Sequence, residues 1–321
     1  MTTMRDVARK AGVGVGTVSR ALSDTGYTAK ATREKIFAAA DAMGYEYESA
    51  ARTPVKAITI GIMLPLLRHP FFSKMTDAIE TELHQRGYRC LIYDNCNNTI
   101  HQREAVDMLE EGAINGLIAL GDPPPDFVER NGKAIVSMDR RWGEGVPLIH
   151  SDHAQGGRLA AEAFLESGCH RIIQFMGGNL SSTLSTRHNT LEKTLRDNGC
   201  QVTSVQTPWN FMGYSYDRNV VRDYWNVIRD MDGCMTNDIA ALSCLSIALE
   251  MGVQVPDQLR IIGYDGTEIT KLCYPALSVI EQDCPALSKA CVDRLVELIE
   301  GGAPSEMETV IPVIWKKRGT T

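Results

Sequence analysis

The segment RDVARKAGVGVGTVSRAL near the N-terminus constrains this chain most, because two short helical periods are separated by only Gly12-Val13-Gly14. Arg5 to Ala11 reads as one helix and Val15 to about Leu22 as the next, and a third carries Ile36, Ala40 and Met43. At about 100° per residue, Val18 and Leu22 fall on one side of the second helix, and Gly16, Ser19 and Arg20 on the other. The packing face predicts a miniature core of Val7, Ala8, Ala11, Val13, Val18, Leu22, Ile36, Ala40 and Met43. So short a connection predicts a helix-turn-helix, whose second helix enters a DNA groove. The alternating glycines from Gly12 to Gly16 could also be a dinucleotide loop, but that loop follows a buried strand. Here the preceding residues, MRDVARKA, are charged and helical in period. Gly14 is therefore expected to serve as a permissive N-cap.

Charge is unevenly spread. Residues 1–56 carry nine Lys or Arg against six Asp or Glu, a balance of +3, so with −7 for the whole chain the remainder carries −10. A basic head on an acidic body directs a polyanion to one end. The 321 residues, 44% hydrophobic and 23% charged, suffice for a large core and more than one domain. No apolar run is long enough to span a membrane and no secretory signal opens the chain, so a cytoplasmic protein with no membrane partner is expected.

The nine cysteines show no CxxC spacing and read as buried small hydrophobes in a reducing compartment. His150 and His153 form the one cluster resembling metal ligands, with no third ligand nearby. No metal, cofactor or catalytic residue is expected, since GxSxG, a Walker loop and persuasive paired carboxylates are missing from the sequence.

From residue 57 onward, short apolar runs alternate with amphipathic helices, the pattern of parallel α/β sheets. Strands are predicted over 57–64, 89–93, 116–120, 134–138, 171–176, 233–235, 259–263 and 278–280, and helices over 71–85, 102–111, 155–166, 187–197, 239–251 and 285–299. The alternation restarts near residue 155, which suggests two similar lobes.

Taken together, DVARKAGV, TVSRAL, TREKI and the closing GY of the head resemble the DNA-binding domain of the lactose and galactose repressor family of bacterial transcription regulators. The resemblance implies base-edge contacts from Val15, Gly16 and Arg20, phosphate contacts from Thr17 and Ser19, and flanking contacts from Arg5 and Tyr27. Arginine reaching guanine is the commonest specific contact, so Arg20 is the principal reader.

The body resembles the family's effector-binding domain, related to periplasmic sugar-binding proteins, through HPFFSKM, the DH..GG..AAE segment, TND and IIGYDGTE. The implied fold class is an all-α helix-turn-helix head on a periplasmic-binding-protein-like body of two parallel-sheet α/β lobes. The head would occupy 1–47, a hinge 48–56 and the body 57–321. Lobe 1 would take about 57–151 and 284–310, and lobe 2 about 152–282 and 311–321, with crossings near 151, 282 and 310.

Sugars need planar polar groups on their hydroxyls and aromatic faces against the ring. By resemblance Arg187, Asp265 and Asn237 are ligands, and Trp209 is a stacking ring with core filling as its alternative. Of Phe71 and Phe72, one would face ligand and the other core. Asp139 ends an apolar strand as a further candidate, and Asp238 reads as a helix N-cap.

The joint departs from the family. Glu48 stands where members carry asparagine and Pro54 where they carry a leucine that wedges the minor groove. Proline disfavours helix at Thr53, so weaker operator bending is expected, or Arg52 fills the minor groove instead. The expected partners are a roughly palindromic double-stranded operator, a small sugar-like effector and a second copy of the chain. An activator, or a response to a nucleoside or phosphorylated sugar, is the other reading.

Overall fold

The computed structural model describes residues 2–23, 28–45, 58–129, 132–177, 183–207 and 214–321. They fall into two units, 1–57 and 58–321, each described by itself.

The first unit holds α1 (Met4–Ala11), α2 (Val15–Ser23) and α3 (Lys30–Ala42). Asp6 accepts a hydrogen bond from the Thr3 backbone N–H at 3.0 Å, which closes a capping box at the start of α1. The helix stops because Gly12 takes φ 70, a left-handed conformation natural to glycine, and the Val13 N–H turns back to the Ala8 carbonyl at 3.1 Å. The Gly14 carbonyl accepts from Thr17 and Val18 and so begins α2. Val7, Ala8, Val18, Ala21, Leu22, Ile36, Ala39 and Ala40 form the core, with Ala11, Val13, Phe37 and Tyr45 against it. Ala21, Ala39 and Phe37 add to the set expected from periodicity. Met43 instead follows α3 as its C-cap.

The second unit contains two six-stranded sheets. The first, lobe 1, comprises β1 (Thr59–Leu64), β2 (Arg89–Asp94), β3 (Gly116–Ala119), β4 (Ile135–Met138), β5 (Leu148–Ser151) and β11 (Glu308–Ile311), in the order β11-β5-β4-β3-β1-β2. Lobe 2 comprises β6 (Arg171–Gly177), β7 (Gln201–Thr207), β8 (Gly233–Asn237), β9 (Arg260–Asp265), β10 (Ser278–Gln282) and β12 (Val313–Lys316), in the order β12-β10-β9-β8-β6-β7. Every pairing is parallel except β10 with β12.

Lobe 1 is flanked by α4 (Pro70–Gln85), α5 (Thr99–Glu110) and α11 (Cys284–Ile299). Lobe 2 carries α6 (His153–Glu166), α7 (Ser185–Asp197), α8 (Tyr214–Asp223), α9 (Trp225–Ile228) and α10 (Asp238–Glu250). Strand residues alternate faces, so each sheet feeds two cores. In lobe 1, Ile60, Ile62, Ile118 and Val136 pack toward α4 and α11, whereas Met63, Leu117 and Ile135 pack toward α5. Burial on both faces explains why TIGIML reads as a continuous apolar run.

The chain passes between the sheets three times: from β5 into α6, from β10 into α11, and from β11 into β12. Short or edge elements escaped the apolar pattern. β7 buries only Val202 and Val205 of its seven residues, and β5 and β11 have four residues each. Not all cysteines are core filling: Cys96 is exposed, and Cys90 and Cys273 are half-buried. All nine are free thiols.

Candidate functional site

On α2 the buried stripe is Val18, Ala21 and Leu22, and the opposite side carries Gly16 and Arg20, both exposed. Val15 opens the helix 41% exposed, on the outward side with Gly16. Thr17 and Ser19 are half-buried at the edge of this face. The Arg20 guanidinium donates to the Thr17 hydroxyl at 3.5 Å and is exposed. A Cβ added at Gly16 would meet nothing within 4 Å, so this glycine leaves a smooth surface, not a tight internal packing point. Arg5 is exposed on α1. Tyr27, and Glu48, Arg52 and Pro54 of the joint, lie outside the described residues.

The second unit has a cavity, partly open to solvent, between the two sheets. Six residues expected to hold effector line it: Phe71, Phe72, Asp139, Arg187, Asn237 and Asp265. Trp209 lies outside the described residues. The arrangement follows from parallel strands, whose carboxyl ends all open on one side, where loops and helix starts converge. Asn237, Asp265 and Gln282 are the last residues of β8, β9 and β10, and Asp139 directly follows β4.

Phe71 and Phe72 stand in the first turn of α4, and both line the cavity while remaining about 95% buried in the lobe 1 core. Both rings therefore border the cavity as well as the core. The two rings meet edge-on at 5.5 Å, so each can present part of its surface to the cavity and part to the core. His69 caps α4, its Nδ1 accepting from the Phe71 N–H at 3.3 Å. Burial lowers its pKa to about 4, so the ring is neutral and its proton sits on Nε2. That N–H has no protein partner among the described residues.

Asp139 and Asp265 adopt φ 59 and φ 113, in the positive-φ region that side-chain-bearing residues seldom occupy. The Asp139 carboxylate accepts from His153 Nε2 at 2.9 Å. Burial works against its charge, but His153 beside it and the Arg140 guanidinium hold the carboxyl below its ordinary value. Asp265 accepts from Gln282 Nε2 at 2.8 Å, and burial pushes its carboxyl up to about 6. The Gln282 oxygen in turn accepts from the Ser151 hydroxyl at 2.7 Å.

Asn237 is the N-cap of α10, its Oδ1 accepting from Ala240 N–H at 2.9 Å, which leaves the side-chain amide as the donor. The cap expected at Asp238 therefore falls one residue earlier. Asp238 is instead buried, with its Oδ2 accepting from the Thr267 N–H and hydroxyl, each at 2.7 Å.

Residues missed from sequence also line the cavity: His69, Arg140, Phe175, Asp217 and Gln282 among them. Arg140 is 4% exposed and pairs with Asp122 at 3.2 Å. A second polar residue after an apolar strand was its signal; Asp217, inside an otherwise ordinary amphipathic helix, had none. Among the described residues no group of three His, Cys, Asp or Glu could hold a metal.

The family model described as bacterial regulatory proteins, lacI family, matches residues 3–47, and that of the periplasmic binding protein-like domain matches residues 161–321. The ribose operon repressor of Bacillus subtilis is 31% identical over 327 residues, covering 100% of this chain and 99% of the relative. The chain belongs to the lacI family of bacterial regulatory proteins. The sucrose operon repressor of Streptococcus mutans is 29% identical to this lacI-family chain over 306 residues, covering 92% of each. Among solved structures, the lac repressor dimer bound to operator and the anti-inducer ONPF superposes with a TM-score of 0.75 at 25% identity, covering 100% of this chain and 99% of that one. The family consists of transcriptional regulators, and no helix among the described residues is long and apolar enough to cross a membrane.

Proposed function

We propose that this lacI-family chain is a cytoplasmic, sequence-specific repressor that binds a roughly palindromic operator as a homodimer and answers to an uncharged sugar held between its lobes, without catalysing a reaction. The cavity carries this reading: Phe71, Phe72, Asp139, Arg187, Asn237 and Asp265, chosen from sequence as sugar contacts, converge on one space. Carboxylates, guanidinium groups and amides are the planar groups that fork onto neighbouring hydroxyls, and phenyl faces suit the apolar side of a sugar ring.

The charge favours a neutral ligand over a phosphorylated one. Three carboxylates, Asp139, Asp217 and Asp265, stand against two guanidinium groups, Arg140 and Arg187, and the nearby His69 is neutral. A phosphate would meet no excess of positive charge there. The relatives named for ribose and sucrose operons point the same way.

Val15, Gly16, Thr17, Ser19 and Arg20 would read and grip DNA from α2, with Arg5 flanking. For the dimer, the support is an apolar surface on lobe 2 in which Leu272 is 84% and Tyr274 93% exposed. Effector binding and operator affinity would be coupled by about 1–3 kcal/mol through a change in lobe closure. Calorimetric titration with D-ribose, sucrose and D-ribose 5-phosphate, paired with operator binding by the same samples, tests the reading. A neutral sugar should bind and alter operator affinity; binding of the phosphate alone would overturn it.

A further inference from the structure

Asp139 belongs to lobe 1 by its strand, yet lobe 2 holds its carboxylate and carbonyl. The Thr183 hydroxyl donates to its carbonyl at 2.6 Å, and His153 Nε2 donates to its carboxylate at 2.9 Å. His153 is the first residue of α6, immediately after the chain's first passage between the sheets, and is 2% exposed. Its other ring nitrogen faces the Tyr264 hydroxyl at 3.0 Å. An ionised carboxylate only accepts, so Nε2 carries the proton; Nδ1 is then bare and takes the Tyr264 O–H. Tyr264 lies in β9 beside Asp265, and its ring supports the Arg187 guanidinium. One imidazole thus joins a cleft carboxylate of lobe 1 to the strand of lobe 2 that ends in Asp265 and whose Tyr264 supports Arg187 of α7.

The geometry points to His153 as a positioning residue of the effector site, which aims the Asp139 carboxylate and, through Tyr264, clasps the two lobes beside the crossover. This assignment rests on the reading of the cleft as an effector site. The clasp requires a neutral ring, since a second proton on Nδ1 would confront the Tyr264 hydroxyl with a donor. Asp139, His150, Arg187, His188 and Tyr264 are the titratable or charged groups about the ring. Burial dominates and, with Arg187 and His150, outweighs the pull of Asp139, so the imidazole titrates below its ordinary value.

The test uses the full chain labelled with ¹⁵N-histidine, the His153 signals being identified by their loss in His153→Gln. The expected spectrum shows protonated Nε2 and a hydrogen-bonded, unprotonated Nδ1, unchanged from about pH 8 to about pH 6.5. Tyr264→Phe should shift Nδ1 toward the position of a free ring nitrogen while Nε2 stays protonated. The opposite tautomer, ordinary titration near pH 6.5, or an Nδ1 signal indifferent to Tyr264→Phe would each overturn the assignment.

Calorimetry with D-ribose adds the functional arm. His153→Ala should weaken binding by about ten-fold, and His153→Gln, which keeps a donor for Asp139, should recover part of that loss. Undiminished binding by His153→Ala would also overturn the positioning role. Should the unmodified chain fail to bind D-ribose, that counts against the sugar reading of the cleft, while the histidine spectra still decide the clasp.

Discussion

The Arg187 guanidinium lies over the face of the Tyr264 ring, 4.2 Å from its centroid. The contact sets a long, mobile cation against a fully buried ring, whose edge is held by His153. Cation–π attraction of about 1–2 kcal/mol is enough to favour one rotamer of a desolvated arginine. Arg187 is thereby kept facing the cavity before any ligand arrives, which lowers the ordering cost of binding.

Arg187→Ala should abolish the response of operator binding to effector while leaving operator affinity in the absence of effector unchanged. An effector titration of the Ala variant that matches the unmodified chain would remove Arg187 from the site.

Gly157 explains why the backbone of α7 can approach α6 so closely. A Cβ at this position would overlap the Arg187 carbonyl, and one at Gly156 would overlap the Tyr264 hydroxyl. Gly157→Ala is expected to destabilise the protein by about 1–3 kcal/mol, through forced separation of two helices. Because the strain falls on Arg187 itself, effector affinity should drop as well; an alanine variant with both properties intact would show that α7 yields without cost.

Asp265 predicts the pH dependence. Burial raises its carboxyl from the ordinary 3.8 to about 6, so between these values the folded chain holds a proton that the unfolded chain has released. Stability from this group is therefore present below the unfolded value and declines as pH rises through about 6. Asp265→Asn should flatten that decline, raising the melting temperature by a few degrees at pH 7.5 and little at pH 4. The same substitution should weaken effector binding. A melting difference that does not depend on pH would contradict the assigned titration.

Arg20→Ala should remove the preference for operator over unrelated duplex, a loss of about 1–3 kcal/mol for a bidentate base contact. Effector binding, which belongs to the other unit, should not change. Competition between operator and random-sequence DNA at fixed salt provides the measurement, and full selectivity in the Ala variant would displace Arg20 as the reader.

The head was legible residue by residue. Val7, Ala8, Val18, Leu22 and Ile36 were identified by period alone and are buried, because within a few turns of helix the spacing of apolar residues fixes which side each one takes. Arg187, Asn237 and Asp265 could be selected because the motifs around them resemble those of the family, and Phe71 and Asp139 because a helix start and an apolar strand end mark them. Asp217 and His69 could not, since nothing near them in the chain marks them as different from surface charge or a helix cap, and Arg140 carried only the weak signal of a second polar residue after an apolar strand. β7 was missed for a related reason: this edge strand buries only Val202 toward one core and Val205 toward the other, so QVTSVQT lacks an apolar run.

The sequence by itself determined local conformation and fold class: the tight turn at Gly12, the reading face of α2 and the alternation that demands parallel sheets. Those are short-range matters, decided by backbone sterics and by the period at which apolar residues recur. Only the tertiary structure decided which groups share the cleft and in what state of charge. The carboxyl of Asp265 and the imidazole of His153 owe their shifted titration to burial among groups brought from distant elements. Electrostatic interaction in a poorly polarisable interior depends on distances in space, which residue order alone does not contain.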